Sequence, residues 1–330
     1  MAEKKYYFCE ELNSTLTLMN GRVTTCCSGR NGPAYWEEYK KEPITKEFIL
    51  RKKEEFYQLL NDEDIEKTPC KDCFYLRERK EDDVISDKFK LINISHWTQC
   101  NCGCFYCARM WLTHGKITKR PEKSEFYDFL PFLKQLYKED LLDRENLTAC
   151  FQGGDISILK EFEPCVKEFL KQGIKEFTIL TNNIRYQPIV KKLLDMDKVW
   201  FNVSIDSGCR ETYKKIKRVD KFNDVINNLK KYAKTNNKHR LSAKFILLDH
   251  MNDNKEEIEK FISLMANIGV PHVEFMIDYK WLFFTDLEQK PLPSHYGELY
   301  QYFKQLCDEK GMRFGTWPLA EEFMKKHTGI

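Results

Sequence analysis

The sequence predicts an α/β fold, a partial (β/α)6 TIM-like barrel preceded by a small cysteine-rich lobe. Three observations carry that expectation. From about residue 90 onward, six short apolar runs alternate with stretches of helical period, which is the pattern of repeated βα units around a parallel sheet. Glycine stops several of the helical stretches, as at Gly173 and Gly269. Nine of the thirteen cysteines fall before residue 110, in tight groups, ahead of and at the start of the alternating region.

In chain order, residues 1–86 read as the lobe. Thr15 to Thr25 alternates apolar and polar residues around Asn20-Gly21, a dipeptide suited to a two-residue hairpin, and the end of this segment carries Cys26 and Cys27. A charged helical stretch follows from Lys46 to Leu60, then Cys70 and Cys73, then a charged connection from Arg77 to Asp87. Residues 87–290 read as the barrel. Its six strands are expected at Lys90 to His96, Leu147 to Phe151, Phe177 to Leu180, Val199 to Ile205, Leu241 to Leu248 and His272 to Ile277. Between and after them, helices are expected at Ile158 to Lys171, Pro188 to Met196, Asp220 to Lys234, Lys255 to Ile268 and Tyr296 to Glu309. The last of these opens residues 291–330, a helix and tail packed on the barrel. In such a barrel the chemistry gathers where strands end, so the loops after the six runs are the place to look.

Bulk composition narrows the partners. The 330 residues hold 54 Lys and Arg against 51 Asp and Glu, a near balance that gives no electrostatic footprint for nucleic acid. No segment approaches the roughly 18 apolar residues of a membrane helix, and the first eleven residues hold no apolar run. An odd number of clustered cysteines suits metal ligation in a reducing compartment better than a disulfide framework, so a cytoplasmic location is expected.

The loop after the first barrel strand holds the most specific signal. Cys100, Cys104 and Cys107 stand in C-x3-C-x2-C, with Tyr106 before the last cysteine and Cys102 inside the loop as a spectator thiol. Three thiolates hold three corners of a 4Fe-4S cluster and leave the fourth iron open to a ligand. Here the sequence resembles the radical S-adenosylmethionine (SAM) superfamily over about Lys90 to Ile277. That resemblance implies that the open iron chelates SAM and that one electron cleaves it to a 5'-deoxyadenosyl radical. The protein's task is then to position the cofactor and exclude side reactions.

The same resemblance implies the cofactor contacts. Gly153, Gly154 and Asp155 follow the second strand, where relatives keep Gly-Gly-Glu on the methionine amino group; aspartate replaces glutamate here. Ser204 at the end of the fourth strand takes the role of a ribose contact, and Arg218 that of a basic residue on the carboxylate. Tyr106 joins them as a cofactor-side aromatic. The Gly-x-Ile-x-Gly segment of many relatives is missing near strand five.

The lobe reads as a second metal site. Cys9 and Cys26 stand in C-x11-G-x4-C around the hairpin, and Cys70-x2-Cys73 supplies another pair, with Cys27 an alternative to Cys26. This resembles the auxiliary-cluster segment of SPASM and twitch proteins in the same superfamily, placed before the barrel instead of after it. The resemblance implies a second 4Fe-4S cluster serving electron relay; structural zinc suits the same four thiols.

At the barrel mouth, Asp206 and Cys209 are candidate catalytic residues, the thiol as a hydrogen-atom donor. Asp249, His250, Glu274 and Asp278 are candidate acids or bases, and Lys244 is a basic residue inside a strand that is costly to bury unpaired. Tyr279, Trp281, Phe283 and Phe284 either wall a pocket or pack the final helix. The resemblance implies a peptide or protein substrate for dehydrogenation, epimerisation or crosslinking, with a flavodoxin- or ferredoxin-type electron donor. A small-molecule substrate, sugar or aminocyclitol, is the alternative, and a non-catalytic iron–sulfur or zinc scaffold is the reading from another class.

Overall fold

A computed structural model describes residues 6–19, 22–25, 35–36, 44–62, 65, 68, 70, 73, 75–95, 99–107, 129–283 and 292–329. The chain falls into two compact units, one of Met1–Gln99 with Pro121–Thr178, the other of Cys100–Arg120 with Ile179–Ile330. Strand β8 below is where the chain passes from the first into the second.

The first unit carries β1 (Tyr7–Cys9), α1 (Glu10–Ser14), β2 (Thr15–Met19), β3 (Arg22–Thr24), β4 (Tyr35–Trp36), α2 (Lys46–Asp62) and β5 (Leu76–Glu78). It continues with β6 (Leu91–Ser95), α3 (Phe129–Lys138), β7 (Thr148–Phe151), α4 (Phe162–Lys171) and the start of β8 (Glu176–Thr181). The expected hairpin is present, with Met19 opposite Arg22 and Thr17 opposite Thr24. The separate lobe of residues 1–86 is not. Strand β2 lies parallel to β6 in the register Thr15 to Leu91 through Met19 to Ser95, so the hairpin extends the sheet that the first barrel strand begins. Apolar residues explain this: Leu16 and Leu18 of β2 and Ile92 and Ile94 of β6 are all buried, and that burial is lost if the hairpin stands apart. Phe151, Phe162, Phe169 and Phe177 form an aromatic core between β7, β8 and α4.

A buried lysine ties the start of this unit to its first barrel strand. The Lys53 Nζ on α2 donates to the carbonyls of Asn13 and Ser86, both at 2.6 Å, and lies 4.5 Å from the centre of the Phe89 ring. Asn13 completes the tie, its Oδ1 accepting from the Ser86 amide at 2.8 Å.

The second unit carries α5 (Pro188–Asp195), β9 (Val199–Ser204), α6 (Arg210–Lys217), α7 (Phe222–Tyr232), β10 (Leu241–Leu247), α8 (Lys255–Ile268) and β11 (His272–Ile277). It ends with α9 (Tyr279–Phe283), α10 (Tyr296–Glu309), β12 (Arg313–Thr316) and α11 (Pro318–Thr328). Strands β9, β10, β11 and β12 pair in parallel in that order. The strand β12 corrects the expectation of a plain helix and tail after residue 291. Helix α8 starts and stops as its sequence dictates: Asn254 caps it by accepting from the Glu257 amide at 3.0 Å, and Gly269 leaves it at a positive φ of 85°. Helix α9 packs against α11, and Tyr279 at its start lies near enough to Tyr106 to act on it electrostatically; Phe284 lies outside the described residues.

Alternation gives this sheet two unlike faces. Phe245 and Phe275 face the helices, packing on Phe261 of α8 and Phe303 of α10. The opposite face is polar, with Asn202, Ser242 and His272 in one row and Ser204, Lys244 and Glu274 in the next. The chain is a mixed α/β fold, and among the described residues its parallel strands close a barrel in neither unit. Among the described residues, no helix is long and apolar enough to cross a membrane.

Burial lowers the Lys53 pKa to about 7, against the attraction of Asp87. The unfolded chain therefore holds a proton between pH 7 and about 10.5 that the folded chain has released, and stability rises with pH across that window. Urea unfolding from pH 7 to 10 is expected to show this rise in the wild type and a flatter profile in Lys53→Met.

Candidate functional site

The cysteine loop belongs to the second unit, and helix α6 grips it by its backbone. The last carbonyls of a helix lack partners within it. Here Ile216 and Lys217 give theirs to the loop, accepting from the amides of Phe105 at 2.9 Å and Gly103 at 3.0 Å. Cys100, Cys104 and Cys107 are each part-exposed, and Cys102 is buried.

The donors around the sulfurs suit thiolates. Cys100 Sγ accepts from the Cys102 amide at 3.4 Å and from Asn182 Nδ2 at 3.5 Å, while that Nδ2 also reaches Asn101 Oδ1 at 2.6 Å. The Cys102 thiol and the Lys217 charge hold the Cys104 thiol down to about 6 against its burial. Cys102 itself is pushed up, first by its bonds to Cys100 and Cys104, and so keeps its proton as a spectator would. Among the described residues, no three His, Cys, Asp or Glu side chains are gathered tightly enough to hold a single metal ion. A cubane takes one thiolate at each of three irons, which is the number of thiolates this loop supplies besides the spectator Cys102.

Behind the loop lies a sealed polar group. Tyr106 Oη donates to Asp206 Oδ2 at 2.6 Å, and Lys217 Nζ donates to the same carboxylate oxygen and, at 2.7 Å, to Tyr106 Oη. Asp206 Oδ1 accepts from the Ile246 amide at 2.9 Å, and Asn252 Nδ2 binds the Asp206 carbonyl at 2.8 Å. Burial works against the Lys217 charge, yet Asp206 beside it holds its pKa above the usual lysine value. Burial and the Asp206 charge push the Tyr106 hydroxyl well up, so it stays protonated.

These bonds and their surroundings place three of the expected site residues. Asp206 is fully buried with both carboxylate oxygens engaged, which fits a structural anchor and not a group that meets substrate. Arg218 is exposed, its guanidinium 5.7 Å from the centre of the Phe105 ring, while Lys217 is the basic side chain turned inward. Cys209 stands just before α6, makes no side-chain capping bond, and directs its thiol at Thr212, 3.4 Å away, and at Glu257 of α8, 3.5 Å away. Gly208 presses that loop so closely on the α8 backbone at Lys260 and Phe261 that no Cβ fits.

In the first unit, Gly153 takes a positive φ of 98°, and a Cβ at Gly154 would collide with the Gln99 carbonyl. That carbonyl accepts from the Asp155 amide at 2.9 Å, so the Gly-Gly-Asp segment is seated on the residue just before Cys100. Asp155 is buried, and its Oδ1 accepts from the Ser157 amide at 2.9 Å and from the Ser157 hydroxyl.

The first unit also holds Cys9, Cys70 and Cys73, which form no three-ligand metal group among the described residues. Cys70 belongs to an apolar cluster with Phe8, Leu12, Phe56, Tyr57 and Leu60, and Cys9 packs on it. The Cys73 amide donates to the Cys70 carbonyl at 3.0 Å, and the chain then reaches Leu76, the register partner of Cys9. Cys26 and Cys27 lie outside the described residues.

Among the remaining candidates, Lys244 is buried on the polar sheet face with no hydrogen-bond or ion-pair partner among the described residues. Its neighbour Ser204 ends β9 on the same row, and Glu274 accepts from Ser242 at 3.2 Å. Burial raises the Asp278 carboxyl to about 6, with Lys280 at 3.7 Å opposing. His250 and Asp249 form a weak pair near the surface, 3.6 Å apart.

A family model described as the Radical SAM superfamily matches residues 94–265, more than half of the chain. The chain belongs to that superfamily. Among curated proteins, it is 29% identical over 197 residues to molybdenum cofactor biosynthesis protein moc-5 of Caenorhabditis elegans, covering 59% of this chain and 31% of the worm protein. It is 26% identical over 186 residues to a probable GTP 3',8-cyclase of Saccharolobus islandicus, covering 54% of this chain and 53% of the archaeal one. The chain thus spans about a third to a half of the relatives it matches. Among solved structures, Streptococcus suis SuiB bound to the precursor peptide SuiA is similar in fold, with a TM-score of 0.53 and 12% identity over 80% of this chain and 62% of SuiB. Membership implies a radical SAM enzyme with a 4Fe-4S cluster and bound SAM.

Sequence reasoning missed Lys217 and Asn182. Lys217 was readable: Tyr213, Ile216 and Lys217 share one helical stripe, and all three are buried. Asn182 follows β8 without a periodic signal. Gly154→Ala is expected to force the Gly-Gly-Asp segment off Gln99 and to destabilise the fold by roughly 1–3 kcal/mol, measured by urea unfolding.

Proposed function

We propose that this chain cleaves SAM reductively and takes a hydrogen atom from a peptide or protein substrate. The observation that carries the reading is the three-thiolate loop, in which N–H groups already point at Cys100 and a cation lies behind Cys104. When bound, the cluster and SAM supply an electron transfer that breaks a carbon–sulfur bond and yields a 5'-deoxyadenosyl radical able to abstract hydrogen.

In this reading Cys100, Cys104 and Cys107 hold the cluster. The backbone of Gly153 and Gly154, with Asp155 held by Ser157, receives the amino group of SAM, and Ser204 receives its ribose. Asp206 orients Tyr106 from behind. Cys9, Cys70 and Cys73, with Cys26 or Cys27, hold an auxiliary 4Fe-4S cluster that relays electrons from a flavodoxin- or ferredoxin-type donor. The support for this assignment is the cysteine spacing, together with the packing of Cys9 on the apolar cluster that contains Cys70.

The peptide assignment draws on the SPASM-like cysteine pattern and on SuiB, whose structure holds a precursor peptide. Lys244 favours a second reading. Its side chain lies on the polar sheet face with no partner among the described residues, and an anionic substrate group would supply one. Relatives named GTP 3',8-cyclases make a nucleotide one source of such a group.

Anaerobically reconstituted, dithionite-reduced protein is expected to convert SAM into 5'-deoxyadenosine, with Cys104→Ala lowering the rate at least 100-fold. Intact cluster content without any nucleoside product in the wild type would favour the scaffold reading. Iron and sulfide analysis is expected to give about eight irons for two cubanes; four irons with one zinc would reject the auxiliary cluster. Supplying GTP or short peptides and analysing products by mass spectrometry separates the two substrates. Lys244→Met should reduce turnover of the true substrate while leaving substrate-free SAM cleavage within about twofold.

A further inference from the structure

The sealed ion pair behind the cysteine loop has no task in the reading above beyond orienting Tyr106. Lys217 and Asp206 are both wholly shielded from water, and such a pair adds little stability by itself because desolvation offsets the attraction. Its placement is specific. Lys217 is the last residue of α6, where its own carbonyl and that of Ile216 hold the loop amides of Gly103 and Phe105. Its ammonium reaches Tyr106, which stands between Cys104 and Cys107, from the inner side. The loop is thus gripped twice by one helical turn, through the backbone and through a buried charge.

That charge has an electrostatic consequence for whatever the loop holds. Three thiolates and a cubane are anionic, and taking up an electron adds negative charge in a place from which water is excluded on the Lys217 side. The carbonyl end of α6, turned to the same loop, carries a partial negative charge that opposes uptake. A buried ammonium favours it, and the Asp206 carboxylate, which meets both that ammonium and the Tyr106 hydroxyl, tempers it.

We propose that Lys217 is a positioning residue that fixes Tyr106 and supplies the buried positive charge that eases one-electron reduction of the cluster held by Cys100, Cys104 and Cys107, with Asp206 as its counterweight. The inference rests on the cluster reading of that loop. In the step concerned, one electron passes from an external one-electron reductant to the cluster; no bond is made or broken, and Lys217 keeps its protons.

Removing either partner then shifts the reduction potential in opposite directions. Anaerobically reconstituted wild type, Lys217→Met, Lys217→Arg and Asp206→Asn are titrated with dithionite and mediators, with the reduced cluster read by electron paramagnetic resonance. Lys217→Met should lower the reduced-to-oxidised ratio at a fixed potential at least tenfold, a negative shift of 59 mV for a one-electron couple. Asp206→Asn should shift the midpoint positively, and Lys217→Arg should stay close to the wild type. A role confined to loop structure moves both single variants the same way or moves neither, and either result overturns the proposal. Should Lys217→Met fail to fold, the double variant Lys217→Met/Asp206→Asn is compared with Asp206→Asn: a negative difference supports the proposal, and no difference overturns it. Iron and sulfide measured on the wild type report separately on the cluster reading; their absence would remove that reading and this inference together.

Discussion

The second unit is organised around one buried ion pair. Lys217 and Asp206 meet where the end of strand β9, the last turn of α6 and the cysteine loop come together, and Asp206 also fixes the β10 backbone through the Ile246 amide. A buried charge deprived of its partner costs several kcal/mol, so each member demands that the other stay in place. The strand end, the helix end and Tyr106 cannot shift independently. Asn252 adds to the constraint by binding the carbonyls of both Asp206 and Ile246 at 2.8 Å. A loop that must present three sulfurs in fixed relation gains from such a backing, because geometry held before a ligand arrives need not be ordered when it binds.

The first unit uses a buried lysine for a different end. Lys53 meets backbone carbonyls and an aromatic face instead of a carboxylate, so its charge is poorly compensated and its pKa falls, whereas Asp206 raises that of Lys217. The two cases follow from partner chemistry, since both side chains are wholly buried. Lys53 serves to tie the N-terminal segment to the approach of β6. That tie brings the hairpin into the sheet, and in the same unit Cys9 packs on the apolar cluster that contains Cys70. A third buried lysine, Lys244, has neither kind of partner, which is why a ligand is invoked for it and not for the other two.

Conformational economy is visible at the glycines that matter. Gly154 is required by the Gln99 carbonyl and Gly208 by the α8 backbone, and in both places a loop presses on another element more closely than any side chain allows. The first of these contacts seats the Gly-Gly-Asp segment; the second turns the Cys209 thiol toward Glu257. Close approach therefore decides which polar groups of each loop remain available for chemistry.

Periodicity and spacing are local properties, and they determined the parallel strands, helices α8 and α10 to the residue and the N-terminal hairpin, because each depends only on nearby residues along the chain. Helix α6 escaped notice since its basic, polar sequence hides a stripe of only Tyr213, Ile216 and Lys217. Tertiary structure alone decided that Lys217 turns inward while Arg218 lies over Phe105, that Asp206 is an anchor, and that β2 joins β6 in parallel. Those outcomes depend on which distant groups compete for one buried charge or one apolar face. No spacing in the sequence records that competition, because its energy exists only once the partners have been brought out of water together.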